Sequence, residues 1–426
     1  MQTIFAQATA RGKAGVSIVR VSGPEAAQIT ERLAGRISKT GRPALRQLRN
    51  ESGEVLDQGL VLFFQGPSSF TGEDVVEFHV HGSRAVVKSV EDTIQRTGLA
   101  RGAEPGEFTQ RALMNDRLDL TQVEGLADLI EAETEAQRKQ AMRVFSGGFS
   151  RNVALWRERL LRAAALLEAS IDFVDEDVPV DVLPEVFELL DGVKAELVLE
   201  IEGSKVAERV RDGFEVVILG APNAGKSTLL NTLAGREVAI TSEIAGTTRD
   251  VIEARMDVNG LSVTFLDTAG LRDTENAIEK IGVDRAVLRA LEADLRVLLW
   301  TDDWKEPPEL NGLIDFSYVA KADLAGVDGI SSRTGAGVER LIEDVSEALH
   351  KRVAVIREAV SQRQRSGMVG AALSIDRGVG LLLDGEEVEL VAEHLRHGLR
   401  ALDSVIGRVD VEAILGEIFS RFCIGK

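Results

Sequence analysis

A glycine-rich turn between a short apolar run and a helical run is the first feature of the sequence that could do chemistry. The β-type run Glu215–Leu219 is followed by Gly220-Ala221-Pro222-Asn223-Ala224-Gly225-Lys226-Ser227 and then by a helical pattern that starts at Thr228. This order fits the phosphate-binding pattern G-x-x-x-x-G-K-S/T in its strand–loop–helix context. The glycines let backbone N–H groups point at a phosphate, Lys226 can reach the β and γ oxygens, and Ser227 can bind Mg²⁺. The sequence therefore predicts a nucleoside triphosphate site over Asn223 to Thr228.

Two further segments would complete the contacts to magnesium and to the γ-phosphate. The β-type run Leu261–Leu266 ends at Asp267-Thr268-Ala269-Gly270, which places a carboxylate at the carboxyl end of a strand. There Asp267 can hold the Mg²⁺ shell, and Gly270 can bring a backbone N–H group to the γ-phosphate. Between the two motifs lies the loop 244–250, in which a threonine hydroxyl can complete Mg²⁺ coordination only while the γ-phosphate is present.

The base that accompanies the phosphates is predicted to be guanine. Lys321-Ala322-Asp323 follows a β-type run, and the Asp323 carboxylate can accept hydrogen bonds from the N1–H and N2 amino groups of guanine, which adenine cannot supply. Ser331-Ser332-Arg333 falls where a loop that supports the base is expected, so GTP is favoured over ATP. In the usual motif, Asn-Lys-x-Asp, the asparagine ties the base loop to the phosphate loop. Here position 320 is alanine, which predicts a weaker tie and a lower nucleotide affinity.

Two residues near the phosphates leave alternatives open. Many GTPases place a glutamine after D-x-x-G to orient the attacking water, but Leu271 occupies that position and cannot form a hydrogen bond. Glu279 could swing in to orient the water, although its spacing alone favours a solvated helix carboxylate. Asn223 could bind a monovalent cation beside the β and γ phosphates, or it could simply stabilise its own loop.

Residue composition and hydrophobic periodicity divide the chain into four segments around these motifs. Residues 1–117 read as an α+β domain, 118–212 as long amphipathic helices, 213–347 as alternating strands and helices of a mainly parallel α/β sheet, and 348–426 as helices again. The expected fold class is therefore a multidomain α/β plus α+β protein. Its nucleotide domain is inserted into a helical domain that is made from two pieces of chain.

Composition limits the classes of partner. The 426 residues carry a formal charge of −19, so an indiscriminate nucleic-acid binder is excluded and any RNA contact needs a local basic patch. Arg36, Lys39, Arg42, Arg46 and Arg49 form one such cluster, and Arg157, Arg159 and Arg162 form another, although a solvated face is the commoner explanation for either. A single cysteine, no apolar run near 20 residues and no signal-like N-terminus predict a cytoplasmic protein without a membrane partner.

The whole chain resembles one family, the tRNA modification GTPases MnmE, which are also called TrmE. The specific matches are Ser69-Phe70-Thr71-Gly72-Glu73-Asp74, His81-Gly82, Pro105-Gly106-Glu107-Phe108, 115–120 (NDRLDL) and the terminal Cys423-Ile424-Gly425-Lys426, in addition to the nucleotide motifs. The resemblance implies an N-terminal folate-binding and dimerising domain, a discontinuous helical domain and an inserted G domain. It also implies a homodimer that works with a flavin-dependent partner, MnmG, to modify the wobble uridine of certain tRNAs at C5.

The same resemblance implies roles for individual residues. GTP hydrolysis would depend on K⁺, with Asn223 as side-chain ligand and the loop from Ser242 through Ile244 to Thr247 completing the cage. Ser227 and Thr248 would bind Mg²⁺, and Glu279 would orient the water. A 5-formyl- or methylene-tetrahydrofolate would be bound by Arg20, Glu77, Arg117 and Lys426. The family usually has lysine where Arg117 stands, which keeps the charge but changes the donor geometry. Cys423 is the family's C-terminal cysteine, which the resemblance makes a candidate functional thiol beside the folate and tRNA chemistry. The alternative interpretation of Cys423 is a buried small apolar residue.

Two other functions remain alternatives at this stage. A ribosome-assembly GTPase would need a basic RNA-binding module, and the acidic chain offers none that is obvious. A binding scaffold with a degenerate nucleotide site is suggested by Ala320.

Overall fold

The computed structural model describes ten longer ranges and seven residues near the chain end. These are 1–36, 42–172, 182–221, 223–236, 253–267, 288–301, 312–326, 328–353, 361–384, 388–408, and residues 415, 416, 418, 419, 422, 424 and 425. The chain divides into two compact units. One contains Met1–Ala127, Phe145–Leu161 and Leu399–Lys426, and the other contains Asp128–Val144 and Arg162–Gly398.

The N-terminal part of the first unit is a six-stranded sheet that packs against helices. The strands are β1 (Thr3–Gln7), β2 (Ala14–Ser22), β3 (Ala44–Arg49), β4 (Val55–Phe64), β5 (Val75–Gly82) and β6 (Ala100–Gly102), in the order β3-β4-β5-β2-β1-β6. Helices α1 (Ala26–Ala34), α2 (Arg84–Arg96) and α3 (Glu107–Met114) follow β2, β5 and β6. Inward residues such as Val19, Val21 and Phe78 form the core with α1 and α2. Because side chains alternate along a strand, Arg20 and Glu77 belong to the opposite face of the sheet.

Long helices follow and then return after the nucleotide-binding segment. They are α4 (Leu120–Glu131), α5 (Glu135–Phe145), α6 (Gly148–Asp172), α7 (Leu183–Asp212), α11 (Gln362–Asp384) and α12 (Val388–Ile406). Gly147, which has φ 76°, lies between α5 and α6. Gly213, at φ 101°, ends α7 and leads directly into the next sheet.

The second sheet has five strands and is mixed. Its strands are β7 (Phe214–Gly220), β8 (Glu253–Val258), β9 (Leu261–Asp267), β10 (Leu295–Trp300) and β11 (Phe316–Val319), in the order β11-β10-β7-β9-β8. The strands β11, β10, β7 and β9 are parallel, as the sequence predicted, whereas β8 pairs antiparallel with β9. Its helices are α8 (Lys226–Ala234), α9 (Ala322–Ala325) and α10 (Val338–Val353). Apolar residues of α8 and α10 join those of the strands in one buried core.

Within the described residues, one helix is long and apolar enough to cross a membrane by length and composition alone. It is α11, where the sequence analysis expected no such run. The core helix of a soluble protein passes the same test, and α11 buries a stripe that contains Met368, Ala371 and Ile375 while it packs against α7. The apolar length of α11 is therefore weak support for a membrane span.

Candidate functional site

The phosphate loop lies at the carboxyl end of the central strand of the second sheet. Strand β7 ends at Gly220 and α8 begins at Lys226, so the loop occupies the edge where open α/β sheets bind ligands. Gly220 has φ 145°, and a Cβ there would lie 2.5 Å from the Leu299 carbonyl oxygen, so only glycine fits. Asn223 has φ 64°, a left-handed conformation that asparagine tolerates. This observation supports the loop-stabilising interpretation of Asn223, and its exposed amide is also free to face a cation.

The side chains that would contact phosphate and magnesium are brought together. The Ser227 hydroxyl donates to Asp267 Oδ2 at 2.5 Å, although 40 residues separate them. The pairing of β7 with β9 explains this meeting, because Asp267 lies opposite Ile218 at the end of the strand that leads into the phosphate loop. A hydroxyl and a carboxylate are the hard oxygen donors that Mg²⁺ prefers. The buried Lys226 ammonium donates to the carbonyls of Gly220 and Ala221, each at 2.9 Å, and thus lies against the loop that it would share with a phosphate.

The two predicted base loops are adjacent, although they are separate in sequence. The Ala322 N–H donates to the Ile330 carbonyl at 3.2 Å, and the Ile330 N–H donates to the Val319 carbonyl at 2.8 Å. Lys321 takes a left-handed conformation at φ 53°, and Asp323 in the first turn of α9 is exposed, as is Arg333. Ser331 is fully buried, and its Oγ accepts the Thr334 N–H at 3.2 Å. The arrangement leaves Asp323 accessible for a base.

Several predicted site residues lie outside the described part of the chain. They are Ser242, Ile244, Thr247, Thr248, Thr268, Ala269, Gly270, Glu279, Cys423 and Lys426. The roles predicted for them, in binding K⁺, Mg²⁺ and folate and in orienting water, stay predictions.

A second group of polar side chains lies on the face of the N-terminal sheet that α1 and α2 leave uncovered. Arg20 and Glu77 are direct cross-strand partners on β2 and β5, and Arg20 Nε donates to Glu77 Oε1 at 3.0 Å. The Arg20 guanidinium also lies 5.6 Å from the ring centres of both Phe70 and Phe108. An arginine between two rings and paired with a carboxylate can bind an anionic aromatic ligand.

The chain end reaches the same sheet. Pro105 and Ile424 form an antiparallel bridge, and the Gly425 carbonyl accepts a long hydrogen bond of 3.5 Å from Arg20 Nη1. A Cβ on Gly425 would lie 2.0 Å from the Gln7 carbonyl oxygen, so glycine is required for this approach. Gly425 directly precedes Lys426, to which the resemblance assigns a folate contact that stays a prediction. Arg117 is exposed, and its stem packs near Gly72.

Sequence reasoning missed His79 and a buried ion network beside this face. His79 Nε2 lies 3.1 Å from Glu77 Oε2, and the i, i+2 spacing within a strand could have indicated it. In the network, Arg111 contacts Glu73 and Glu107, each at 2.9 Å, and Glu107 also binds Arg101 at 2.7 Å. Burial raises the pKa of Glu107, but hydrogen bonds from Arg101, the Glu104 backbone N–H and Arg111 outweigh it and lower that pKa overall.

The strand–loop–helix unit at the edge of a mainly parallel sheet, with a lysine, a serine and an aspartate gathered at it, defines a P-loop GTPase-like domain. Comparison with known proteins then narrows the class. Residues 3–117 match the family described as GTP-binding protein TrmE N-terminus, and residues 120–423 match the MnmE helical domain.

Relatives match the chain over its whole length. A tRNA modification GTPase MnmE of Jannaschia sp. (strain CCS1) is 63% identical over 426 residues, covering 100% of both chains. The MnmE of Roseobacter denitrificans is 54% identical over 432 residues with the same coverage, and that of Beijerinckia indica is 48% identical, covering 100% of this chain and 96% of its own. Among solved structures, the G domain of the T. maritima FeoB iron transporter is 22% identical with a TM-score of 0.23, covering 32% of this chain and 97% of that one.

The chain belongs to the tRNA modification GTPase MnmE family. It is a GTPase involved in tRNA modification.

Proposed function

We propose that this GTPase is stimulated by K⁺ and acts with the flavin-dependent MnmG in the carboxymethylaminomethyl-type modification of the tRNA wobble uridine at C5. It does so as a cytoplasmic homodimer that also binds 5-formyl- or methylene-tetrahydrofolate. The observation that carries the proposal is the presence, in one chain matched from end to end by MnmE proteins, of two sites with different chemistry. One gathers Ser227 and Asp267 at a phosphate loop, and the other pairs Arg20 with Glu77 on a sheet face.

The nucleotide site acts by positioning charge. Lys226 leaves the loop carbonyls for the β and γ oxygens, and the N-terminus of α8 adds its partial positive charge. Ser227, Asp267 and Thr248 would hold Mg²⁺, which would supply positive charge beside the phosphates. Asp323 selects guanine by accepting hydrogen bonds from the N1–H and N2 amino groups of the base, and Ser331 and Ser332 support the base. Glu279 orients the attacking water, since Leu271 cannot.

The K⁺ requirement is tested by GTP turnover in K⁺ and in Na⁺ at equal ionic strength. We expect turnover to be at least about tenfold faster in K⁺, a small part of the 10³–10⁵ that a cationic group contributes at this position in other GTPases. In Asn223→Ala the advantage of K⁺ should vanish. Asn231→Ala, which removes an exposed amide from α8, should keep it. Equal wild-type rates in the two salts would discard the cation site.

The folate site is tested by titrating the full-length protein with 5-formyltetrahydrofolate. Arg20→Ala should weaken binding by about ten- to a hundredfold, because it removes a charge-assisted contact and the arginine partner of Glu77. The control is Arg32→Ala on α1, a residue that donates, within the described part of the chain, to the Thr97 carbonyl at 3.4 Å. Undiminished binding in Arg20→Ala would place the folate elsewhere.

The role in tRNA is tested by mass spectrometry of wobble uridines from cells that lack this protein. Loss of the C5 group, restored by the wild-type chain and not by Lys226→Ala, is the expected result. An unchanged profile together with accumulated ribosomal precursor particles would favour the ribosome-assembly alternative. The net charge of −19 weighs against the ribosome-assembly alternative, because that function would need a basic RNA-binding module.

A further inference from the structure

The missing asparagine of the base motif raises the question of what holds the base loops against the phosphate loop. Ala320 is 7% exposed, and its methyl group cannot form a hydrogen bond. Its backbone N–H donates to the Trp300 carbonyl at 2.9 Å, which fixes the strand end and leaves the phosphate loop untouched. Any direct tie to that loop must therefore come from another residue.

Ser332 makes such a tie with its side chain. Its hydroxyl donates to the Gly225 carbonyl at 3.1 Å, across 107 residues of sequence. Gly225 is the last loop residue before Lys226 and has φ 99°, so its carbonyl is set by the conformation of the phosphate loop itself. A Cβ added to Gly225 would lie 3.4 Å from the Ser332 hydroxyl, which shows how closely the two loops approach.

The backbone of Ser332 is anchored to the helix that follows the phosphate loop. Its carbonyl lies 2.9 Å from Thr232 Oγ1, and the same hydroxyl lies 2.9 Å from the Thr228 carbonyl. One proton serves both acceptors, so Thr232 shares its hydrogen bond between Ser332 and its own helix. The Ser332 hydroxyl, in contrast, donates to a carbonyl of the phosphate loop itself.

The tie extends to the residue that reads the base. Ser332 follows Ser331, which is fully buried, and Ile330, which exchanges backbone hydrogen bonds with the segment of Val319 and Ala322. Asp323 comes directly after Ala322. A displacement of Ser332 from Gly225 would therefore change the distance between the guanine-reading carboxylate and the phosphate loop.

We propose that Ser332 is the positioning residue that ties the guanine-binding loops to the phosphate loop, replacing the asparagine that this chain lacks at position 320. The proposal rests on the proposed guanine contact of Asp323. The hydrogen bond from Ser332 sets the distance between the base loops and the phosphate loop. Its loss should therefore lower the affinities for GTP and GDP alike. Once GTP is bound at saturation, its effect on kcat is small.

Four variants of the full-length protein test the tie: Ser332→Ala, Ala320→Asn, the double variant that combines them, and Ser366→Ala as control. Ser366 is an exposed serine on α11 whose hydroxyl bonds only to its own helix, at the Gln362 carbonyl. The measurements are Kd for a fluorescent GDP, and KM and kcat for GTP. Ser332→Ala should raise Kd and KM by about three- to tenfold, the range for one hydrogen bond, with kcat changed less than twofold.

The rescue distinguishes a tie from a general loss of structure. Ala320→Asn should restore most of the affinity lost in Ser332→Ala, because an asparagine there can reach the phosphate loop again. Unchanged Kd in Ser332→Ala, or no rescue in the double variant, would overturn the proposal.

Asp323→Ala separates the proposed role of Ser332 from the guanine contact on which it rests. If that variant keeps the preference for GTP over ATP, the guanine contact is wrong. If the preference is lost while Ser332→Ala binds normally, only the tie is wrong.

Discussion

Glu107 illustrates how much a single buried carboxylate can hold in place. Its oxygens accept from Arg101 and Arg111, and Arg111, which is 3% exposed, also contacts Glu73 and donates to the Gln2 carbonyl at 2.7 Å. Glu73 in turn accepts from the Ser22 hydroxyl at 2.7 Å. The network therefore joins β1, β2, the 69–74 segment and α3 beside the face that carries Arg20.

Replacing Glu107 by glutamine should destabilise the protein by about 3 kcal/mol at pH 7, the lower end for a broken buried pair, since Glu73 still faces Arg111. The pKa of Glu107 is lowered in the fold from its ordinary 4.5. Its contribution is therefore complete above about pH 4.5 and is lost as pH falls through the lowered value. Denaturant unfolding of wild type and Glu107→Gln at several pH values measures this, with the exposed Glu104→Gln as control. If the difference in unfolding free energy between wild type and Glu107→Gln does not decrease at acidic pH, the stabilising role of the Glu107 carboxylate is wrong.

At the scale of elements, Gln137 determines how α5 begins and where it lies. Its Oε1 accepts the N–H groups of Glu133 and Thr134 at 2.9 and 3.0 Å, and its Nε2 donates to the Arg211 carbonyl in the last turn of α7 at 2.9 Å. Next to it, the Ala136 N–H donates to the Gly260 carbonyl in the turn between β8 and β9 at 3.1 Å. One buried amide therefore caps α5 and fastens it to the helix that enters the nucleotide domain.

Gln137→Ala should lower the free energy of unfolding by about 2 kcal/mol, because it leaves buried backbone groups without partners. Arg138→Ala, which removes a surface ion pair with Glu135, should cost much less. Thermal unfolding of both variants, followed by circular dichroism, provides the comparison. Equal losses of unfolding free energy in the two variants would contradict the role of Gln137 in capping and fastening α5.

The sequence predicted the elements with clear periodicity and missed those that depend on partners. The β-type runs Glu215–Leu219 and Leu261–Leu266 lie in strands β7 and β9, and the helical pattern that starts at Thr228 lies within α8. Strand β6 has three residues and exists through its parallel pairing with β1, which no local pattern reveals. The Ser227–Asp267 meeting followed from motif order. In contrast, the Ser332 tie and the Arg111 network require tertiary distances, so residue spacing alone could not find them.

At the scale of the whole molecule, charge limits how a chain of net −19 can hold a tRNA. Of the two basic clusters, the second is largely engaged, since Arg157 pairs with Asp403 at 2.7 Å and Arg162 pairs with Glu185. In the first, the Arg36 side chain is 94% exposed and lies 3.7 Å from Glu31. The first cluster is therefore the better candidate for phosphate contacts.

Arg36→Gln should weaken tRNA binding to the full-length protein and should reduce the slope of log K against log salt by about 1, the value for one lost phosphate contact. Arg162→Gln removes the same charge from the chain but takes it from an existing ion pair, so its slope should equal that of the wild type. Fluorescence anisotropy of labelled tRNA between low and moderate KCl measures both. If the two variants weaken binding equally without a change of slope, net charge alone governs the interaction, and the cluster around Arg36 is a solvated face.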